Sequence, residues 1–492
     1  MSAARPGQAR AAAAGAAART ASARAAKGRA AAGGAARTAS AGAAAQTASS
    51  RAATGRAAAG GAARTSAPGG PGSPRAMTAE RAASRPAPPL EHRMLTTATL
   101  CLLAFGAVMV YSASSPIGVL SGRGGSGTSE FLRYLIFAAL GVGAMQLLAR
   151  RGLTLLDRRL VNLLLAGAFG LLLIVLVPGF GVQVNGARRW FAAGPIQFQP
   201  SEVMKLALVL YVARYLAEHP RRLRGLRQAL APIAVVAGPA ILLIVVEPDL
   251  GTALVVAFTV AALLVAAGLR PRQLAALAAL AAGCVLLLAV AQPYERARLT
   301  SFLHPWAAAT KAGAGYQAVQ GQIALGSGGL FGVGLGKSVQ KTFYLPEAQT
   351  DFILAVIGEE LGVVGIFGVV FLYGMVAYAG LRTARRAAGR YEKLLASGLT
   401  SLILCQGILN IFVVLGLAPL TGVPLPFISY APTNLCIMLA AVGLLLNIAH
   451  PRAGRLRLVH GTTGERAAGR DRRRRDRRAR RAGAGGGRLP ER

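Results

Sequence analysis

The segment Val339–Phe352 reads Val-Gln-Lys-Thr-Phe-Tyr-Leu-Pro-Glu-Ala-Gln-Thr-Asp-Phe, and soon afterwards Ile357–Gly362 reads Ile-Gly-Glu-Glu-Leu-Gly. This polar stretch separates two long apolar segments, so Asp351 stands where a loop is expected to end and an apolar helix to begin. A carboxylate at such a boundary is unfavourable unless it has a function or a partner. Two interpretations follow: Asp351 belongs to a functional site, or it caps the helix together with Thr350.

Two further carboxylates, Glu359 and Glu360, follow Asp351 in the predicted helix. At a rise of 1.5 Å per residue they lie about 12 Å deeper than Asp351. Adjacent carboxylates inside an apolar helix need either partners or a function, and the sequence leaves open which of the two applies.

Long apolar runs surround this segment. Hydrophobic residues make up 54% of the 492 residues, and runs of near-membrane length recur from Leu95 to Asn447. The sequence therefore predicts an all-α polytopic membrane protein with ten transmembrane helices and a large extracytoplasmic loop between the seventh and eighth. The predicted spans are about 95–115, 131–149, 160–178, 202–217, 229–246, 250–267, 274–292, 352–380, 394–417 and 433–449.

The net charge of +37 lies mainly at the two ends of the chain. Residues 1–90 carry 13 Lys or Arg and one acid, and residues 451–492 carry 15 and four, so 23 of the excess positive charges lie there. We predict disordered tails over 1–91 and 453–492 that attract anionic lipid, flanking a membrane domain over 92–452. Every second loop between spans is short and basic, which predicts that both tails are cytoplasmic. Met77 and Met94 are alternative starts of translation.

The cysteines and the glycine-rich segment are the residues that could form a metal, cofactor or nucleotide site. All four cysteines fall inside predicted spans, which predicts no disulfide and no metal cluster. These cysteines are Cys101, Cys284, Cys405 and Cys436. The glycine-rich segment Gly326–Gly336 follows no predicted strand, and we interpret it as backbone that lies close to a membrane surface or a ligand. The sequence indicates no cofactor and leaves open whether a divalent cation is bound. It contains no feature that indicates binding of nucleic acid.

Charged residues near the outer membrane boundary are the first candidates for a site. Arg188, Arg189 and Trp190 lead into the fourth span. There Glu202 and Lys205 are three residues apart and share one helix face. These two residues either neutralise each other at the helix end or contact a substrate.

Further outer charges come from two other loops. Glu247 and Asp249 flank a proline, which is typical of a turn with a carboxylate near a helix start. The long outer loop carries cations that include Arg298 and Lys341, against the usual charge bias, and this suggests an anionic partner. On these residues alone, the chain is either an enzyme that acts on a lipid-linked anion or a transporter.

A series of motifs then narrows the function. The motifs are Met109–Ser114, Gly186–Trp190, Gln199–Glu202 with Lys205, Glu247–Gly251, Gly328–Gly336, Tyr344–Ala348, Thr350–Phe352, Glu359–Gly362 and Gly422–Pro426. In these motifs, in their order, the chain resembles the SEDS (shape, elongation, division, sporulation) family of cell-wall polymerases over residues 92–452. Within that family, the segment before Tyr344 and the glycine before Glu359 favour the branch that acts in cell division over the elongation branch.

The resemblance implies a reaction and roles for the candidate residues. Members of this family are peptidoglycan glycosyltransferases that polymerise lipid II, an undecaprenyl-diphosphate-linked disaccharide peptide, at the outer face of the cytoplasmic membrane with inversion at the sugar. The resemblance implies that Asp351 is the general base. We assign Lys205, Arg188 and Arg189 to the diphosphate. The other substrate-binding candidates are Glu202, Trp190, Lys341 and Arg298.

The resemblance also implies partners, namely a class B penicillin-binding protein that supplies the transpeptidase and other divisome membrane proteins at the division septum. A lipid II flippase, a non-catalytic division scaffold and an elongation-type polymerase are the alternatives. One motif departs from the family, because Ser429 and Tyr430 are followed by Ala431-Pro432-Thr433 where the family usually has Gly-Gly-Ser. Pro432 either opens the tenth span or signals an altered groove, a specialised paralogue or reduced activity.

Overall fold

The structure is a computed structural model of the chain. It describes residues 89–120, 128–184, 187–193, 196–220, 226–270, 293–307, 315–342 and 344–450, with a few single positions between 271 and 314. The predicted tail 453–492, nearly all of the tail 1–91 and most of the predicted span 274–292 lie outside the described residues.

Helices dominate the part of the chain that is described. They are α1 (Leu90–Leu120), α2 (Thr128–Leu155), α3 (Arg158–Leu176), α4 (Pro200–Glu218), α5 (Leu226–Val246), α6 (Leu250–Ala267), α7 (Pro293–Leu303), α8 (Tyr316–Gly328), α9 (Ile353–Arg386), α10 (Arg390–Val414) and α11 (Pro432–Ala449). Seven of them, α1, α2, α3, α6, α9, α10 and α11, are long and apolar enough to cross a membrane. The prediction of a mainly helical polytopic membrane protein is confirmed, while the count of ten spans stays a prediction.

A small antiparallel sheet, which the sequence analysis did not predict, lies in the segment between α3 and α4. Its strands are β1 (Val182–Val184), β2 (Ala187–Ala193) and β3 (Ile196–Phe198), with β2 in the middle. The dipeptide Asn185-Gly186 stands between β1 and β2 in the sequence and is a strong hairpin signal. This sheet presents Arg188, Arg189 and Trp190 on its central strand.

Local sequence explains several helix ends. Asp249 caps α6, because its carboxylate accepts a hydrogen bond from the Thr252 N–H at 3.1 Å. Pro200 and Pro432 occupy the first turns of α4 and α11. A main-chain N–H in the first turn has no acceptor within the helix, so the missing N–H of proline costs no hydrogen bond there. The interpretation that Pro432 opens the last span therefore agrees with the structure.

Two elements lie at the centre of the membrane domain, α4 and the first part of α9. Every residue from Ile353 to Glu360 is buried, and α4 is buried along most of its length. The helix α9 packs against α1, α8 and α10, while α4 packs against α3, α6 and α10. Glu202 and Lys205 on α4, and Glu359 and Glu360 on α9, therefore lie inside protein.

The helix α9 is broken at Gly362, which has φ 66° and ψ −161°. These angles are readily adopted by glycine alone. Main-chain groups on both sides of the break are paired with the glycine-rich segment. The N–H groups of Val333 and Gly334 donate to the carbonyls of Glu359 and Glu360 at 2.9 and 3.0 Å.

After the break, α9 donates the hydrogen bonds and the glycine-rich segment accepts them. The N–H groups of Val363 and Val364 donate to the carbonyls of Gly329 and Leu330 at 3.0 and 3.2 Å. The glycine-rich segment thus lies close to the backbone of α9, a contact that the sequence analysis did not predict. The predicted contact with a membrane surface or a ligand stays a prediction.

Candidate active site

Asp351 lies just before α9, and its side chain does not cap that helix. The N-cap residue is Phe352, which makes no side-chain capping hydrogen bond. The Thr350 hydroxyl donates to the carboxylate of Glu347 at 3.0 Å instead. No described residue donates a hydrogen bond to the Asp351 carboxylate, so the helix-cap interpretation is wrong and the carboxylate is available for chemistry.

The main chain of Asp351 is held from α10 and from the loop before α11. Asn410, which is buried on α10, donates its Nδ2 to the Asp351 carbonyl at 2.7 Å and to the Val423 carbonyl at 2.8 Å. The carboxylate lies over Gly422, where an added Cβ would stand 3.2 Å from Oδ2. Asn410 therefore fixes the position of Asp351 relative to the loop Thr421–Pro426.

Four charged groups, one of them in the same segment, act on Asp351. Burial raises the pKa of its carboxyl to about 7, and the charges of Glu347 and Asp249 raise it further. The charges of Arg189 and Arg298 lower this pKa. The structure therefore brings Arg189, Asp249 and Arg298, three of the residues that the sequence singles out, into one electrostatic environment.

Arg189 makes its hydrogen bonds to a turn and not to a carboxylate. Its Nε donates to the Glu247 carbonyl at 2.9 Å, and its Nη2 donates to the Pro248 carbonyl. Arg188 and Trp190 are partly buried on the same strand. Arg189 thus joins the sheet to the turn that precedes α6, and its charge stays close to Asp351.

Glu247 and Asp249 have different surroundings. Besides capping α6, Asp249 accepts a hydrogen bond from Gln199 Nε2 at 3.0 Å. The side chain of Glu247 is fully buried, and neither carboxylate oxygen has a hydrogen-bond partner in the described part of the chain. Burial, followed by the charge of Asp249, raises the pKa of Glu247 to about 9, which favours a neutral carboxylic acid at pH 7.

Glu202 and Lys205 neutralise each other inside the protein. Both are 1% exposed, and Lys205 Nζ lies 2.8 Å from Glu202 Oε2. The same ammonium group donates to Gln406 Oε1 at 2.7 Å, and Gln406 donates in turn to the Pro424 carbonyl. This network connects α4 to α10 and to the loop that underlies Asp351.

Lys341 forms a second buried ion pair. Its Nζ lies 2.7 Å from Glu360 Oε1, and the Ser112 hydroxyl on α1 donates to the same carboxylate at 2.8 Å. Glu359 accepts a hydrogen bond from Ser338 Oγ and one from the Val339 N–H at 3.0 Å. Both carboxylates of the Glu-Glu pair therefore fasten the long outer loop to α9.

Polar residues to which the sequence analysis assigned no site role complete the site. Ser112, Gln199 and Glu347 occur in the motifs named above, whereas Gln406 and Asn410 were not singled out. Gln406 and Asn410 lie inside an apolar predicted span, and a polar residue in such a position is a signal that could have found them. No group of three or more His, Cys, Asp or Glu residues in the described ranges is arranged to hold a metal ion.

Comparisons with known proteins agree with the resemblance seen in the motifs. The FtsW/RodA/SpoVE family, described as cell cycle proteins, matches residues 92–454. Stage V sporulation protein E of Bacillus subtilis is 40% identical over 361 residues, which cover 72% of this chain and 96% of the relative. The probable peptidoglycan glycosyltransferase FtsW of Coxiella burnetii is 43% identical over 361 residues, covering 72% and 94%.

Solved structures support the same relationship. A peptidoglycan synthase complex that coordinates polymerization and crosslinking matches with a TM-score of 0.57 and 30% identity over 72% of this chain and 96% of that chain. The rod shape determining protein RodA of Thermus thermophilus matches with a TM-score of 0.51 and 30% identity over 72% and 95%. This chain is therefore a member of the FtsW/RodA/SpoVE family, the SEDS family that its motifs resemble.

Proposed function

We propose that this protein is a peptidoglycan glycosyltransferase that polymerises lipid II at the outer face of the cytoplasmic membrane, with Asp351 as the general base. The observation that carries the proposal is the Asp351 carboxylate, to which no described residue donates a hydrogen bond and whose pKa is lowered by the charges of Arg189 and Arg298. Relatives about 40% identical to this chain are named probable peptidoglycan glycosyltransferases, and this supports the reaction class.

In the proposed reaction, the 4-hydroxyl of an acceptor sugar attacks the anomeric carbon of a diphosphate-linked donor sugar. A carbon–oxygen bond to the acceptor forms, and the bond to the diphosphate breaks with its electron pair leaving on the diphosphate. Attack from the opposite side converts the α linkage into a β linkage. Asp351 takes the hydroxyl proton, and no atom changes oxidation state, so the step requires no redox cofactor.

The leaving diphosphate gains negative charge as the bond breaks. Arg189 and Arg298 already act electrostatically on Asp351, and we assign them, with Arg188, to that charge. The ammonium groups of Lys205 and Lys341 are already paired inside the protein. In this proposal Lys205 and Lys341 therefore position α4 and the outer loop, and direct contact with substrate is left to the arginines and Trp190.

The biological setting follows from the same family. Several relatives are named FtsW, which favours the division branch over the RodA-type elongation branch. We infer a class B penicillin-binding protein as partner, since a related synthase complex couples polymerization with crosslinking. Cytoplasmic tails and a location at the division septum belong to the same proposal.

A lipid II transporter is the second candidate. Several charged side chains are buried in the described part of the membrane domain, and α9 is broken inside it, which are features of many transporters. Among them are Glu202, Lys205, Lys341, Glu359 and Glu360. Each of these five residues has an ion-pair or hydrogen-bond partner inside the protein. Their burial is therefore explained by a structural role, which favours the enzyme over the transporter.

Purified protein in proteoliposomes, together with its cognate transpeptidase, separates the candidates. The substrate is lipid II, glycan strands are measured on a gel, and movement of labelled lipid II between leaflets is measured in parallel. Strands without movement are expected. Movement without strands would assign the protein to transport, and neither product, under conditions where a FtsW relative is active, would favour a scaffold.

The ionisation of Asp351 predicts a pH dependence. Because only the carboxylate accepts a proton, the polymerisation rate should fall as the pH drops below about 7 and level off above it. Glu347→Gln removes a negative charge that raises this pKa, so the acidic limb should move to lower pH. Initial rates measured across pH test this, with Glu218→Gln on α4 as the control that should leave the limb in place.

A further inference from the structure

The glycine-rich segment Gly329–Leu335 lies beside the break in α9, a helix long and apolar enough to cross a membrane. Its main chain is hydrogen-bonded to Val363 and Val364, which are the first residues of α9 after the break. The span of α9 continues from these residues as a helix to Arg386. The segment therefore stands beside the outer end of a transmembrane helix, and not above it.

Irregular backbone inside a membrane is tolerated only where its polar groups are satisfied by protein. Here the broken helix and the segment satisfy each other, because four main-chain hydrogen bonds run between Gly329–Gly334 and Glu359–Val364. The pairing satisfies part of the main chain of the segment, namely the N–H groups of Val333 and Gly334 and the carbonyls of Gly329 and Leu330.

The side chains of the segment are apolar and point away from the protein. Phe331 is 81% exposed, and Leu330 and Leu335 are more than half exposed. No charged residue occurs from Ile323 to Gly336. An exposed apolar cluster of this kind is unusual on a surface that faces water.

This cluster continues an apolar stripe on α9. Val364, Phe367 and Phe371 follow at helical spacing after the break and are each more than half exposed. The first part of α9, with its buried Glu359 and Glu360, is covered from outside by α8 and the glycine-rich segment. α8 and the glycine-rich segment thus separate Glu359 and Glu360 from the exposed apolar surface formed by the cluster and the stripe.

We propose that Gly329–Leu335 is a re-entrant segment embedded in the outer leaflet, with Leu330, Phe331 and Leu335 in contact with lipid acyl chains. The occupant of this surface is bulk bilayer lipid. Lys337, two residues further on and exposed, then lies at the level of the lipid headgroups. The inference rests on geometry and does not depend on the proposed reaction.

Site-directed spin labelling tests the depth of the segment. The protein, with its four cysteines replaced by alanine and its folding checked by gel filtration, carries one new cysteine as Phe331→Cys, Phe367→Cys or Lys337→Cys. Each nitroxide in proteoliposomes is relaxed by oxygen, which concentrates in the bilayer, or by a water-soluble nickel chelate. The ratio of oxygen to nickel accessibility at 331 should match that at 367 and exceed that at 337 several-fold.

Two results would overturn the proposal. A ratio at 331 that resembles the one at 337 would place the segment in water. Low accessibility to both reagents at 331 would mean that protein covers the surface, as a helix of a partner or a second copy would. If the cysteine-free protein does not fold, Phe331→Trp in the natural background should be quenched by brominated lipids as strongly as Phe367→Trp, and weaker quenching would reject the inference equally.

Discussion

Replacing Asp351 by asparagine should lower the rate of lipid II polymerisation by about 10²–10⁴-fold, which is the usual contribution of general base catalysis. Asparagine has nearly the same shape and cannot accept the proton of the acceptor hydroxyl. The hydrogen bond from Asn410 to residue 351 uses the main-chain carbonyl, so the loop should keep its position in the variant. The loss is therefore expected in the rate constant rather than in folding.

The measurement is the initial rate of glycan formation beside a thermal unfolding curve for each protein. Glu218→Gln is a matched control, since it neutralises a carboxylate that is 40% exposed on α4, outside the proposed site, and should retain activity. Equal rates for Asp351→Asn and the natural protein would remove Asp351 from the chemistry and leave the family assignment in place.

Replacing Glu360 by glutamine should destabilise the protein by about 3–5 kcal/mol, because it leaves the Lys341 ammonium buried without a counter-charge. Lys341 and Glu360 are 3% and 0% exposed at their side chains, so water cannot compensate for the lost carboxylate. The double variant Lys341→Met with Glu360→Leu should recover most of this loss, since it removes both charges together.

Unfolding in detergent, followed by heat or denaturant, measures these differences. The ion pair between Arg214 and Glu218 serves as the control, because its atoms are 3.9 Å apart and its side chains are 21% and 40% exposed. Glu218→Gln should change the stability by less than about 1 kcal/mol. If Glu360→Gln unfolds at the same temperature or denaturant concentration as this control, the buried ion pair contributes little to the free energy of unfolding.

The position of Asp351 and the membrane spans follow from simple patterns in the sequence. An acid between two apolar runs marks the end of a span, because burying a charge in lipid is unfavourable. The pairing of Glu202 with Lys205 follows from their spacing on one helix face. The Glu202–Lys205 contact is local in the sequence. The position of Asp351 is set by where an apolar span ends, which hydrophobicity alone indicates.

The remaining contacts depend on where distant segments meet. Lys341 and Glu360 are 19 residues apart with Asp351 between them, and no periodicity in that stretch brings them together. Asn410 reaches Asp351 across 59 residues. The strands β1 and β3 have three residues each, too few for an alternating pattern, although the turn between β1 and β2 has a hairpin sequence.

The departure at Ala431-Pro432 also has a local explanation. Ala431 has φ −146° and ψ 87°, which an alanine adopts without strain, so the position needs no glycine. The preceding Tyr430 donates its N–H to the carbonyl of Gln349 at 2.9 Å, two residues before Asp351. The segment therefore supports the loop of the proposed base despite its altered sequence.

The hydrogen bonds at the break in α9 also join the two ends of the chain segment that contains Asp351. Val333 and Glu359 are fastened together at the base, and every residue between them, including Asp351, belongs to one ring of main chain. Within this ring, the first turns of α9 join Asp351 to Glu359, and Asn410 on α10 holds the main chain of Asp351 from outside. A change of length in the remaining arc, between Val333 and Thr350, should therefore alter the loop around the proposed base and leave Asp351 itself in place.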